Sequence, residues 1–190
     1  MLIRILAFLL ETAFFVLIAA ALLRAWMNWL RVSMIGQPGS FVMALTDWLV
    51  KPLRRALPKA LIQSRAVDWA SVLAAALMAL AYALLWWLLF GLLLGAPAGG
   101  TDFGLAAVLA MLLFAVKMLL RVALQTLFML VLGYAVLSWV QPGSMAYGLL
   151  ARLTEPLLTP FRRVIPSIGG VDLSALVLLV LLQIGMMMLA

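Results

Sequence analysis

"KPLRRALP" spans residues 51–58 and "TPFRRVIP" spans residues 159–166. Both read Pro-Φ-Arg-Arg-x-Φ-Pro, in a chain where only 10% of residues are charged. Arg162 follows Arg54 by 108 positions, and Pro166 follows Pro58 by the same 108. Working backward, Thr46-Asp47 matches Thr154-Glu155 at 108, and "QPGS" recurs from Gln37 to Gln141, 104 positions on. Working forward, Val67-Asp68 matches Val171-Asp172 at 104, each pair opening an apolar stretch. Trp29 and Trp139 end the preceding apolar stretches, 110 apart. Small insertions explain the drift. The pattern reads as a tandem duplication of one unit: helix, basic connector, helix.

Composition fixes the solvent. Hydrophobic residues make up 68% of the 190, whereas a globular domain carries 45–50% apolar and about 25% charged residues. No water-soluble fold hides that much apolar surface, so the expected class is an all-α membrane protein. The chain has no cysteine and no histidine. That excludes disulfides, thiol nucleophiles, Cys/His zinc sites, His-based acid–base pairs and His- or Cys-ligated haem. The 12 methionines, including Met186, Met187 and Met188, read as gap-filling apolar side chains rather than soft-metal ligands. No metal, cofactor or enzymatic activity is expected.

Four apolar segments follow: Leu2–Leu30, Trp69–Leu94, Phe103–Trp139 and Leu173–Leu189. The first resembles a signal peptide, with Arg4 ahead of it and three alanines at 19–21. Glu11 interrupts its apolar region, and the segment has a counterpart later, so it reads as a retained span. A span needs about 20 residues, so the fourth segment is marginal and the third too long for one straight crossing. Residues 105–132 contain no Gly or Pro that could turn the chain. The third segment therefore reads as one span over roughly 114–136, preceded by an extension along the outer interface. This divides the chain into a first repeat (1–94, connector 31–68), a link (95–104) and a second repeat (105–190, connector 140–172).

Charge sets the orientation. The first connector holds Arg31, Lys51, Arg54, Arg55, Lys59 and Arg65, and the second holds Arg152, Arg162 and Arg163. The link "GAPAGGTD" (95–102) holds no positive residue. The positive-inside rule puts both connectors in the cytoplasm and the link and both termini outside.

Each connector opens with "PGS", whose serine is placed to cap a helix. The helix after it should lie on the inner leaflet, with Phe41, Leu45, Trp48 and Leu49 on one face and Thr46 and Asp47 off it. In the second copy Tyr147, Leu150 and Leu158 form that face. A proline should then break each helix, leaving the arginine pairs Arg54/Arg55 and Arg162/Arg163 at headgroup height. Two guanidinium groups so held suit phosphate or carboxylate, either from lipid headgroups or from a membrane-protein partner. The bland alternative is that they only enforce topology.

Inside the spans, Glu11 aligns with Arg121 at 110, and Lys117, Arg121 and Gln125 recur every fourth residue. Charges in lipid are costly unless paired or hydrated, so these four should face the bundle interior. They read as a structural ion pair locking the repeats, or alternatively as the polar site of a channel or transporter. "GLLLG" (91–95) is a short helix-dimerising motif, compatible with a homo-oligomer.

The stretch "LTEPLLTPFRRVIPSIGGVDLSAL" (153–176), preceded by "LSWVQPGS", resembles the signature of the YggT family of bacterial membrane proteins. The two-copy layout is similar to proteobacterial members, and the likeness covers nearly the whole chain. The first copy departs from it, with "DWLVKP" where xEPxxxP is usual, so Asp47 is an uncertain equivalent of Glu155. The resemblance implies a multi-pass protein of the bacterial inner membrane. Family members are associated with osmotic tolerance, cell division, plastid nucleoid distribution and cytochrome assembly. No catalytic motif comes with it. The expected function is that of a non-enzymatic membrane factor for osmotic tolerance or envelope assembly, with no direct nucleic-acid binding.

Overall fold

The computed structural model describes residues 1–34, 36, 38–58, 67–94, 104–164 and 172–189. All regular structure among them is helical: α1 (Leu2–Trp29), α2 (Gly39–Ala56), α3 (Trp69–Leu94), α4 (Leu105–Val140), α5 (Met145–Arg162) and α6 (Leu173–Leu189). Lys59, Arg65, Pro166, Gly95 and the link to Phe103 lie outside the described residues. Three helices, α1, α3 and α4, are long and apolar enough to cross a membrane, and α6 is a shorter apolar helix. Their outward residues, among them Phe8, Leu9, Leu113 and Met129, are large and apolar. Such a surface is consistent with a membrane protein.

The chain forms two compact units, Met1–Val122 and Ala123–Ala190. In the first, α1 packs along α3, and α2 lies against both. The seam is rich in small residues: Ala70, Ala74, Ala75, Ala79 and Ala83 of α3 meet Ile18 and Ala21 of α1. Without a hydrophobic drive between helices in lipid, close backbone approach through alanine is what makes such a seam stable. In the second unit, Leu158 of α5 and Ala175, Leu178 and Leu182 of α6 close around Val131 and Tyr134 of α4.

Four expectations change. The long third segment is one uninterrupted 36-residue helix, about 54 Å long, so residues 105–116 continue it rather than forming a separate interfacial extension. The absence of Gly and Pro over that stretch leaves nothing to break it. The connector helices likewise run through their prolines: Pro52 lies inside α2, and Pro156 and Pro160 lie inside α5. Pro52 and Pro160 are exposed, so the carbonyl each ring releases one turn back opens outward to water or headgroups. Consequently Arg54, Arg55 and Arg162 sit in the last helical turn, where cations complement the helix dipole.

Thr46, expected off the apolar face, is buried with Val42 and Val50, while Phe41 and Trp48 of that face point outward. In α5, Leu158 is buried and Tyr147 and Leu150 are half-buried against the core. The two "PGS" motifs also diverge. Ser144 caps α5, accepting from the Tyr147 amide at 3.1 Å. Ser40 lies inside α2 and caps nothing, because Gly39 already starts the helix. A Cβ at Gly39 would come within 2.6 Å of the Met34 backbone, a contact only glycine avoids.

Candidate functional site: the arginine connectors

Each connector ends on an arginine tied to the aspartate that opens the following helix. In the first unit, Arg54 Nη2 donates to Asp68 Oδ2 at 2.7 Å. The same oxygen accepts from Asn28 Nδ2 of α1 at 2.5 Å and from Ser71 Oγ at 2.8 Å. One carboxylate thus joins α1, α2 and α3. In the second unit, Arg162 donates to Asp172 Oδ2 through both Nε (2.9 Å) and Nη2 (2.6 Å). Nη2 also donates to the Tyr134 hydroxyl at 2.7 Å, and the guanidinium lies 5.7 Å from the Tyr134 ring centroid. Asp172 also accepts from the Ser174 amide at 3.1 Å and from its hydroxyl, an N-terminal cap. Tyr134 stacks in turn on Tyr147 at 5.5 Å.

Electrostatics favours the charged aspartates. Burial raises the carboxyl pKa of Asp68, but the Ser71 hydroxyl, the Arg54 charge and Asn28 outweigh it and hold the group below its ordinary value. Asp172 follows the same balance: desolvation is more than offset by hydrogen bonds from Ser174 and Arg162. Arg162 is shifted upward, since Asp172 and Tyr134 overcome its own desolvation.

The second arginine of each pair behaves differently. Arg55 and Arg163 are exposed, and among the described residues neither makes an ion pair or a side-chain hydrogen bond. Each Arg-Arg pair is therefore an anchor plus a free cation rather than a two-fingered clamp. The aspartate partners were visible in the sequence as the matched Val67-Asp68 and Val171-Asp172. Their role was not, because nothing local says that a residue 14 positions from Arg54 folds back onto it.

A second polar site escaped the sequence reading altogether. Arg24, near the C-terminal end of α1, is only 5% exposed. It donates to Thr46 Oγ1 at 2.7 Å and to Asp47 Oδ1 at 2.8 Å. Lys51 holds the other Asp47 oxygen at 2.8 Å. The Lys51 hydrogen bond does most to lower the Asp47 pKa, with Arg24 adding to it against the opposing effect of burial. Glu155, the residue aligned with Asp47, is exposed, and among the described residues it pairs with no arginine. Tyr134 follows Arg24 by 110 positions, the same spacing that separates Trp29 from Trp139.

The intramembrane group is not where the sequence put it. Glu11, Lys117 and Arg121 are exposed, and Gln125 is half-exposed. Among the described residues the ion pairs do not include Glu11 with Arg121. On α4 the inward side of the first unit is taken by Ala115, Met118, Leu119 and Val122, which turns Lys117 and Arg121 away from the core. Both Glu11 and Arg121 still act electrostatically on the buried Tyr82.

The CCB3/YggT family matches residues 3–89 and again residues 113–190. A Vibrio alginolyticus relative, "Uncharacterized protein in proC 3'region", is 34% identical over 93% of this chain and 89% of its own length. "Uncharacterized protein YggT" of Escherichia coli K12 is 31% identical over 94% of this chain and 86% of its own length. A Pseudomonas aeruginosa relative is 32% identical over 88% of this chain and 79% of its own length. No solved structure matches the chain. The helices that carry both arginine ties lie within the matched segments, and the chain belongs to the CCB3/YggT family.

Proposed function

We propose that this protein is a non-enzymatic, four-span factor of the bacterial inner membrane, made of two tandem repeats, that engages phosphate or carboxylate groups through Arg55 and Arg163. The bound groups belong to anionic lipid headgroups or a membrane-protein partner, and the physiological role is osmotic tolerance or envelope assembly. The repeated order of long helix, 18-residue helix and apolar helix supports the duplication, as does the pair of matched segments. The α6 helix is 17 residues long, about 26 Å, and crosses as a short fourth span with local thinning. The connector helices α2 and α5 lie on the inner leaflet, with Phe41 and Trp48 of α2 turned toward lipid.

One observation carries the reading. In both repeats the first arginine is satisfied internally, while its neighbour is exposed and, among the described residues, makes no ion pair or side-chain hydrogen bond. The tie to the aspartate that opens the next helix accounts for the first arginine as part of the fold, which leaves the second, exposed arginine as the member available to a ligand. An anchored guanidinium beside a free one gives a cation of fixed height and direction.

The test uses a strain lacking the protein. Arg55→Lys with Arg163→Lys should insert normally, since the topology rule counts Lys and Arg alike. It should restore growth at high osmolarity only partly, because an ammonium cannot reproduce the bidentate fork. The corresponding alanine pair should restore none. Full rescue by the lysine variant would reduce the arginines to topological charge.

Orientation is checked separately, taking advantage of the cysteine-free chain. Single cysteines at Pro58 and Val164 should react with an impermeant reagent only from the cytoplasmic side. One at Gly99 should react only from the opposite side. Labelling of all three from one side would rule out the four-span arrangement.

A further inference from the structure

Between α4 and α6 of the second unit lies a cavity of about 130 Å³. Its lining is mostly apolar, with Val136 and Leu176 on its walls, while Tyr134, Ser138, Trp139 and Asp172 supply the polar part. On α4 the lining runs from Leu132 to Trp139, about 10 Å along the helix. Asp172 places the polar end beside the connector, because it precedes α6 and binds Arg162.

Three features of that end point to a specific occupant. The Arg162 guanidinium sits over Tyr134, a wall of the groove, and Arg163 follows it, exposed. Two guanidinium groups against the Asp172 carboxylate leave one positive charge in surplus. Asp172 would repel an anion, but Arg162 and Ser174 already hold both its oxygens. Trp139 is 65% exposed, the kind of side chain that settles at headgroup level. A neutral apolar slot would accept any acyl chain. A slot whose polar end lies beside a connector carrying one guanidinium in surplus, on the residue that follows Arg162, discriminates by headgroup.

We propose that the α4/α6 groove seats one acyl chain of an anionic phospholipid whose phosphate is taken by Arg163. This rests on the reading of Arg163 as a phosphate site and adds where the rest of the molecule goes. The seat belongs to the second repeat.

The experiment uses the full chain in phosphatidylcholine nanodiscs doped with phosphatidylglycerol carrying a photoreactive acyl chain. A parallel sample carries the same photoreactive chain on phosphatidylcholine. Label should concentrate on peptides covering 132–139 and 172–179 with the glycerol headgroup, and spread over the outward helix faces with choline. Val136→Trp with Leu176→Trp fills the groove at two exposed positions without asking the core to repack. It should cut groove labelling by roughly tenfold, whereas Val177→Trp, exposed but off the groove, should leave it intact. Arg163→Ala should erase the difference between headgroups while preserving the helical signal and melting temperature. Groove labelling that survives the double tryptophan, or falls equally with Val177→Trp, overturns the seat and leaves the phosphate reading of Arg163 standing. A headgroup preference that survives Arg163→Ala overturns that reading instead, and with it the anionic assignment of the groove.

Discussion

Asp47→Ala should lower stability by about 3 kcal/mol, the range for breaking a buried ion pair from one side. The side chain of Arg24 is 6% exposed, and without Asp47 it keeps, among the described residues, the Thr46 hydroxyl as its acceptor. That hydroxyl already spends its own proton on the Val42 carbonyl at 2.7 Å. The reverse change, Arg24→Met, should cost less. Asp47 retains Lys51 and reaches solvent, and a methionine fills the vacated volume. The double variant Arg24→Met with Asp47→Leu should recover most of the loss, because an apolar pair removes both desolvation penalties at once. Thermal midpoints of the purified protein measure all three. With roughly 2–4 °C per kcal/mol at this chain length, Asp47→Ala should melt roughly 6–12 °C below wild type. Additive losses in the cycle would show that Arg24 and Asp47 do not act as a unit.

The helices were legible in the sequence because lipid imposes a simple rule. A run of apolar residues must satisfy its own backbone, so its ends are marked by the first polar clusters. Trp69–Leu94 and Leu173–Leu189 form helices over the same bounds as their apolar runs. Proline was the misleading signal. Pro52, Pro156 and Pro160 read as helix breakers on a propensity argument, yet packing of Val50 and Leu158 into the two cores holds the chain helical through them. Arg24 was not legible for another reason. An arginine near a span's end is ordinarily a snorkelling anchor, and only the fold of α2 onto α1 reveals an acceptor waiting for it. The same limit hid Asp68 and Asp172: repetition flagged them as matched positions, but their partners come from tertiary structure.

Within the second connector, neighbouring arginines should respond in opposite ways to one conservative change. Arg162→Lys should destabilise the protein by about 1–2 kcal/mol, whereas Arg163→Lys should leave the melting temperature unchanged. Lysine offers a single ammonium, so it cannot place two donors on Asp172 Oδ2 and one on the Tyr134 hydroxyl, as Arg162 does. The figure stays modest because Arg162 is partly open to solvent, which screens the pair. Acid should expose the same tie. Asp172 has a folded-state pKa below its ordinary 3.8, so its contribution is full above that value and is lost as pH falls through the depressed one. Asp172→Asn removes that titration, and its melting temperature should fall less steeply than wild type below about pH 4. An Arg163→Lys variant that melts as low as Arg162→Lys would contradict the division between anchor and free cation. The headgroup reading of Arg163 would go with it, since a residue that holds the fold together is not available to a ligand.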